Sequence, residues 1–197
     1  MLMQVNNNGV ISFLAAVSQF NSYSFPVADG RPIITPFWAD VDTRKGGTLS
    51  YREVLRFAQD DGIFLAADDI IRASFVDMKF FLSSWMFIAT WDSVAFYGAS
   101  NQSAARNSFQ AVMMTDGRYS FAIFNYRDIN WAAGGSSSPA QVGFNAGDGV
   151  NYYSVPGSRT AAVVDIETTS NIGVSGRWVF RTDNSNIKGL ASTTSGV

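Results

Sequence analysis

The sequence predicts a mostly β domain, an antiparallel sandwich or barrel-like structure with one short helix. Two observations lead to this fold class. Short segments rich in β-branched and aromatic residues recur along the chain, with turn-forming residues between them, as in all-β domains. Only one segment has helical spacing, so the strand–helix alternation typical of a parallel sheet is missing.

Eight segments are predicted to be strands from their alternating, β-branched or aromatic composition. Asp116-Gly117 lies between two of them and predicts a hairpin with a two-residue type I′ turn, because this pair tolerates positive φ angles. In order, the segments are Val10–Leu14, Ile33–Val41, Thr48–Val54, Met86–Tyr97, Phe109–Thr115, Tyr119–Tyr126, Ala161–Thr168 and Arg177–Arg181.

The one helical segment has Phe64, Ala67, Ile71 and Phe75 at helical spacing. The preceding Asp-Asp-Gly can start a helix, so we expect one from about residue 62 to residue 74. The polar, weakly patterned stretch 184–197 is predicted to be a linker or tail. The domain would therefore occupy residues 1–183.

Composition excludes several function classes. The net charge of −2 gives no basic patch for nucleic acid. There is no histidine and no cysteine, which removes Ser-His-Asp sites, imidazole ligands for zinc, disulfides and thiol chemistry. The longest apolar stretches are shorter than the ~20 residues of a membrane-spanning helix. We therefore expect no nucleic-acid partner and no membrane span in this chain.

Two carboxylates follow a tryptophan in "TPFWADVDTRKGG". On an extended strand Asp40 and Asp42 would share one face, ~6.6 Å apart along the strand. That separation is compatible with the carboxylate pair of an inverting glycosidase. A glycoside hydrolase site that uses Asp40 with Asp42 or Glu167 is therefore one alternative.

The same pair has two further interpretations. A helix-loop-helix calcium motif is excluded because Arg44 occupies the fifth position, where an oxygen ligand belongs. Another calcium geometry at Asp40 and Asp42 remains open. The interpretation that we favour is structural: Asp42 caps the turn that follows it, and Asp40 pairs with Arg44 or Arg31.

Aromatic residues and one sequon give weaker signals. Trp85, Trp91 and Trp131 could form a sugar-stacking platform, as in a carbohydrate-binding module, but aromatic residues in strands more often belong to the core. Asn101-Gln102-Ser103 is an N-glycosylation sequon if the chain is secreted, so Asn101 is a candidate modification site.

Six stretches, taken together and in order, resemble one family. They are similar to the nidogen-like (NIDO) domain, an extracellular domain of nidogen, alpha-tectorin and mucin-4-type proteins. The resemblance extends over about residues 5–183. The stretches are "VNNNGVISF" (Val5–Phe13), "RPIITPFWADVDTR" (Arg31–Arg44), "WMFIATWDSVAFYG" (Trp85–Gly98), "NSFQAVMMTDGRYSFAIFNYRDINW" (Asn107–Trp131), "AQVGFNAGDGVNYYSVPGS" (Ala140–Ser158) and "SNIGVSGRWVFR" (Ser170–Arg181).

The resemblance implies a non-enzymatic, extracellular adhesion or matrix-assembly module. Its expected partners are matrix or cell-surface proteins, or a second copy of itself. The resemblance implies no cofactor, which leaves the calcium alternative at Asp40 and Asp42. It also implies that the first strand or two of the domain lie upstream of Met1. Arg44, Arg127 and Tyr153 lie in or beside predicted loops and are our candidate contact residues.

Overall fold

Two antiparallel five-stranded sheets form a sandwich in the computed structural model, which describes residues 3–56, 61–100 and 103–183. The first sheet has the order β1-β2-β3-β8-β9, and the second has the order β10-β7-β6-β5-β4. The elements are β1 (Met3–Asn6), β2 (Val10–Phe13), β3 (Ile33–Trp38), β4 (Thr48–Leu55), α1 (Asp61–Ser74), β5 (Trp85–Val94), β6 (Asn107–Thr115), β7 (Ser120–Ile129), β8 (Gln141–Asn145), β9 (Tyr152–Ser154) and β10 (Arg177–Arg181).

Aromatic side chains fill the space between the two sheets. Alternate residues of each strand point inward, as the two-residue period of a strand requires. Phe37 of β3 meets Phe109 of β6 with ring centroids 5.4 Å apart, and Phe124 of β7 meets Phe144 of β8 at 5.2 Å. The predicted sandwich is confirmed, and the two sheets do not close into a barrel.

Helix α1 covers one end of the outer face of the second sheet. Its buried residues Phe64 and Ile71 belong to the same apolar cluster as Ile88, Met114 and Ile123 of the sheet. The predicted helix over residues 62–74 is confirmed with one more residue at its start. On the outer face of the first sheet, the segment 14–32 covers β3 in the same way.

Two local predictions are wrong. The segment Ala161–Thr168 is not a strand but a 3₁₀ helix, Ala161–Glu167, in which Val163 and Ile166 are buried. Their three-residue spacing matches the three residues per turn of this helix. The β6–β7 hairpin exists, but Thr115 pairs with Ser120, so its loop has four residues and is not a two-residue type I′ turn.

Several strand boundaries also differ from the prediction. The predicted strand Ile33–Val41 ends at Trp38, after a register irregularity around Pro36, which cannot donate to a ladder. Strands β1, β8 and β9 were not predicted. Asn101 and the predicted tail 184–197 lie outside the described residues. Among the helices that the structure describes, none has the length and apolar character needed to cross a membrane.

Candidate interaction surface

A row of polar side chains crosses the outer face of the second sheet beside α1. We call Ser50, Thr90, Gln110, Asn125 and Arg177, one from each strand and paired in register, the polar row. Hydrogen bonds join four of them. Gln110 Nε2 donates to Thr90 Oγ1 (2.8 Å), Asn125 Nδ2 donates to Gln110 Oε1 (3.3 Å), and Arg177 Nε donates to Asn125 Oδ1 (3.0 Å).

The position of the row follows from strand alternation. Gln110 lies on the same face as Val112, and Asn125 lies on the same face as Ile123. Val112 and Ile123 are in the apolar cluster beneath α1, whereas the row begins where the helix no longer covers the sheet. The outer face is therefore divided into a buried apolar part and a half-buried polar part, in which Ser50 is exposed.

A second set of polar residues continues this face beyond the row. We call Asp92, Ser108, Arg127 and Asp128 the charged corner. Phe109 pairs with Tyr126 and Ser108 pairs with Asp128, so Arg127 is the extra residue of a β-bulge. Its guanidinium contacts Asp92 (3.3 Å), Asp128 (2.7 Å) and Ser108 Oγ (3.2 Å). Bulges commonly redirect a side chain in this way.

Two shallow depressions flank the polar row. One, of about 410 Å³, lies between the row and Ile63, Ala66 and Ile70 of α1. The other, of about 430 Å³, extends from the row to Asp92 and Arg127. Strands are ~4.8 Å apart, so the surface offers donors and acceptors at regular intervals across five strands. Such a broad, shallow surface suits a macromolecular partner better than a small ligand, which needs a concave pocket.

The three candidate contact residues are not brought together by any contact in the described part of the chain. Arg127 lies in the charged corner. Arg44 follows Asp42 in a short 3₁₀ helix, with 78% of its side chain exposed. Tyr153 is half-buried on β9 and packs on Phe180, and this burial raises the pKa of its hydroxyl. Gln110, Asn125 and Arg177 were not predicted to belong to a site.

The motif that contains the two carboxylates has a structural role at Asp42. Its carboxylate accepts the backbone N–H of Arg44 (3.0 Å) and two guanidinium bonds, from Nε (2.8 Å) and Nη2 (2.9 Å). The predicted cap is confirmed. The predicted pairing of Asp40 is wrong, because Arg44 pairs with Asp42 and Arg31 pairs with Asp29.

The same contacts do not favour a catalytic pair. Arg44 lowers the pKa of Asp42, whereas burial and the nearby charge of Asp42 raise the pKa of Asp40. Both residues are buried. Glu167 is also engaged, since its Oε2 accepts the backbone N–H of Ile129 (2.6 Å). A glycosidase needs two free carboxyl groups on either side of a substrate bond.

Calcium at Asp40 and Asp42 stays a prediction. Within residues 3–56, 61–100 and 103–183, no group of three or more acidic, histidine or cysteine side chains could hold a metal ion. A cation at Asp42 would have to compete with the guanidinium of Arg44. Calcium usually takes six or more oxygen ligands, which two carboxylates can supply only with help from backbone and water.

Asp40→Asn is expected to raise the melting temperature at pH 7. Because the pKa of Asp40 is raised in the folded state, ionising this carboxyl group destabilises the fold. The contribution of protonated Asp40 to folding stability is fully present below the ordinary pKa of 3.8 and is lost as the pH rises. The gain should therefore vanish in acid. Asp42→Asn is the matched control with the opposite sign, because Arg44 lowers the pKa of Asp42. Thermal melts from pH 3 to pH 7 that shift both variants in the same direction would contradict this assignment.

The tryptophans contribute mostly to the interior. Trp38, Trp91, Trp131 and Trp178 are buried, so they cannot stack on a sugar. Trp85 is half-buried and donates from Nε1 to Glu53. The core interpretation is thus confirmed for Trp91 and Trp131, and Trp85 alone among the described tryptophans retains an accessible ring.

Comparison with known proteins decides the family. The profile of the nidogen-like domain matches residues 2–184. The chain belongs to the nidogen-like domain family. It is 45% identical to alpha-tectorin of Mus musculus over 201 residues, which cover 97% of this chain and 9% of that protein. It is 30% identical to nidogen-1 of Mus musculus over 195 residues, which cover 89% of this chain and 15% of that protein.

The resemblance to the nidogen-like domain is thereby confirmed. This nidogen-like domain is extracellular, as in the matrix proteins alpha-tectorin and nidogen. Dendrite extension defective protein 1 of Caenorhabditis elegans is a further relative, 31% identical over 88% of this chain and 14% of that protein. The chain spans about a tenth of the length of the alpha-tectorins that it matches. No solved structure matches it.

Proposed function

We propose that this domain is a non-catalytic interaction module of the extracellular matrix, and that the polar row and the charged corner form its contact face. The observation that supports this proposal most is the hydrogen-bonded row of side chains across the second sheet. The network fixes side-chain rotamers before a partner arrives, which reduces the entropy lost on binding.

The charged corner adds an element of specificity. Arg127 is exposed, and arginine is enriched among residues that dominate binding energy. Asp92 and Asp128 already pair with the Arg127 guanidinium. A partner must therefore present both an acidic group for Arg127 and basic groups for the two aspartates. Complementary charges at such a rim mainly raise the association rate and make it sensitive to salt. The expected partners are matrix or cell-surface proteins.

The test is retention of the purified chain on decellularised extracellular matrix. We expect saturable retention that decreases as the salt concentration rises from 0.05 to 0.5 M, because exposed charges are screened at about 10 Å in 0.1 M salt. An equal concentration of bovine serum albumin is the control for non-specific adsorption. Retention no greater than that of albumin would contradict the proposal. Repeating the assay with a calcium chelator tests the cation alternative at Asp40 and Asp42.

A carbohydrate partner is the second candidate, and it rests on Trp85. The half-buried ring lines a groove of about 710 Å³ together with Tyr51 and Phe87, and aromatic rings of this kind can stack on sugars. Enzymatic removal of glycans from the same matrix distinguishes the two candidates. A protein partner predicts unchanged retention, whereas a sugar partner predicts its loss.

A further inference from the structure

Strand β4 is the longest edge of the sandwich. It is eight residues long, whereas the other edge strands, β1, β9 and β10, have four, three and five. It pairs with β5 along its whole length without a register shift. Among the described residues, only β5 pairs with its backbone, and most of its side chains are exposed. No proline or glycine interrupts it.

This edge therefore presents a regular series of unpaired backbone donors and acceptors. Such a series is best satisfied by another polypeptide strand, because its groups repeat at the ~3.3 Å rise of an extended chain. Proteins usually protect a long edge with a bulge, a proline or a covering loop. The described strand β4 has none of these. Charged side chains also protect edges, and β4 has two, Arg52 and Glu53, so an added strand must keep like charges apart. On that condition, strand addition is its most direct use.

We propose that β4 pairs in an antiparallel manner with β4 of a second copy of this chain, with Tyr51 opposite Tyr51 of that copy. The inference rests on the proposed function and names one partner for it, the chain itself. The result is a continuous ten-stranded sheet, formed from two five-stranded ones, whose two polar rows lie on the same face.

Symmetry and charge narrow the choice of register, and exposed apolar area decides it. A two-fold axis perpendicular to the sheet keeps the inward-facing residues of both copies on the same side. The residue that lies on the axis therefore pairs with the same residue of the second copy. Placing Arg52 or Glu53 there would bring like charges together, which is destabilising. Placing Ser50 or Tyr51 there avoids a like-charged pair. The Tyr51 register puts Ser50 opposite Arg52 and Leu49 opposite Glu53.

Exposed apolar area supports the same register. Tyr51 is 67% exposed although its ring stacks on Phe87, with centroids 5.8 Å apart. It lines the 710 Å³ groove together with Trp85 and Met113. In the proposed pairing the second Tyr51 comes beside the first, over this groove. Aromatic cross-strand pairs are among the favourable ones in sheets.

A single introduced cysteine tests the register directly, because the chain has no cysteine of its own. Tyr51→Cys places two thiols opposite each other, at the ~4.5–5.5 Å Cβ separation of a cross-strand pair, where a disulfide can form. Leu55→Cys is the matched control, since Leu55 is 53% exposed on the same strand. In the proposed register the two Leu55 residues of the dimer are about eight positions apart along the strands, or roughly 26 Å.

Under mild oxidation of the full chain, we expect Tyr51→Cys to form the disulfide dimer at least about tenfold faster than Leu55→Cys. Sedimentation equilibrium of the unsubstituted chain should show a monomer–dimer equilibrium. Equal cross-linking rates, or a monomer at every concentration, would overturn the proposal. The outcome is separable from matrix retention: a monomeric chain that matrix retains refutes the pairing alone, and a dimer that matrix does not retain refutes the proposed function alone.

Discussion

Replacing Asp68 by alanine is expected to destabilise the domain by about 3–5 kcal/mol, the usual cost of leaving one partner of a buried ion pair alone. Asp68 lies on α1 and is fully buried. Its carboxylate accepts hydrogen bonds from Arg56 Nη2, from Ser83 N (3.0 Å) and from Ser83 Oγ (2.6 Å). It thus joins the helix to the segments just after β4 and just before β5. Its loss leaves the largely buried guanidinium of Arg56 without its carboxylate.

The neighbouring residue provides the control. Asp69 is 73% exposed and pairs with Arg72 on the helix surface, so Asp69→Ala should cost less than about 1 kcal/mol. Urea denaturation of both variants measures the difference. Similar losses for the two would mean that α1 is not anchored through Asp68.

Replacing Gly9 by alanine is expected to cost about 3 kcal/mol or more. Gly9 has a φ of +76° in the turn between β1 and β2, and a Cβ there would lie 1.9 Å from the carbonyl oxygen of Phe37. Phe37 is a fully buried residue of β3, so the backbone can yield only by disturbing the core. A strained φ costs ~1–3 kcal/mol, and the steric overlap adds to this.

Gly117→Ala separates these two contributions. Gly117 has a similar φ of +92° in the β6–β7 loop, but no atom of the described residues outside its own chain neighbours lies within 4 Å of the position that a Cβ would take. Gly117→Ala should lose only the ~1–2 kcal/mol that a left-handed φ costs a residue with a Cβ. If Gly9→Ala and Gly117→Ala have equal urea midpoints, the close approach to Phe37 is not a constraint on the fold.

The sequence is sufficient for the fold class and for α1, because both depend on side-chain periodicity over many residues. The register of β6 against β7 depends on the length of the loop between them, and local residue preferences are a poor guide to that length. A two-residue turn at Asp116-Gly117 would pair Thr115 with Arg118 and therefore Gln110 with Ile123. The observed four-residue loop pairs Gln110 with Asn125. A register shift of two residues leaves every side chain on the same face of the sheet. Gln110 and Asn125 of the polar row, however, would no longer lie opposite each other.

The contact face was only partly predictable. The sequence predicts Arg127 as a contact residue, but the bulge that directs it toward Asp92 is a property of the β6–β7 pairing. Gln110 and Asn125 gave a usable signal: each is a polar residue at an outward position of a strand that is otherwise apolar. Helix α1 covers the apolar positions of that face, and the sequence did not indicate where its coverage ends.

The most direct test of the polar row as a contact face is a titration of matrix with a variant of that row. Gln110→Ala combined with Asn125→Ala removes the centre of the row. Arg118→Ala, an exposed change in the β6–β7 loop at the opposite end of the same strands, is the control. We expect about tenfold weaker half-saturation for the double variant, or ~1.4 kcal/mol, and less than about a twofold change for Arg118→Ala. Matrix binding by a folded double variant that equals the unsubstituted chain would contradict the assignment of this face.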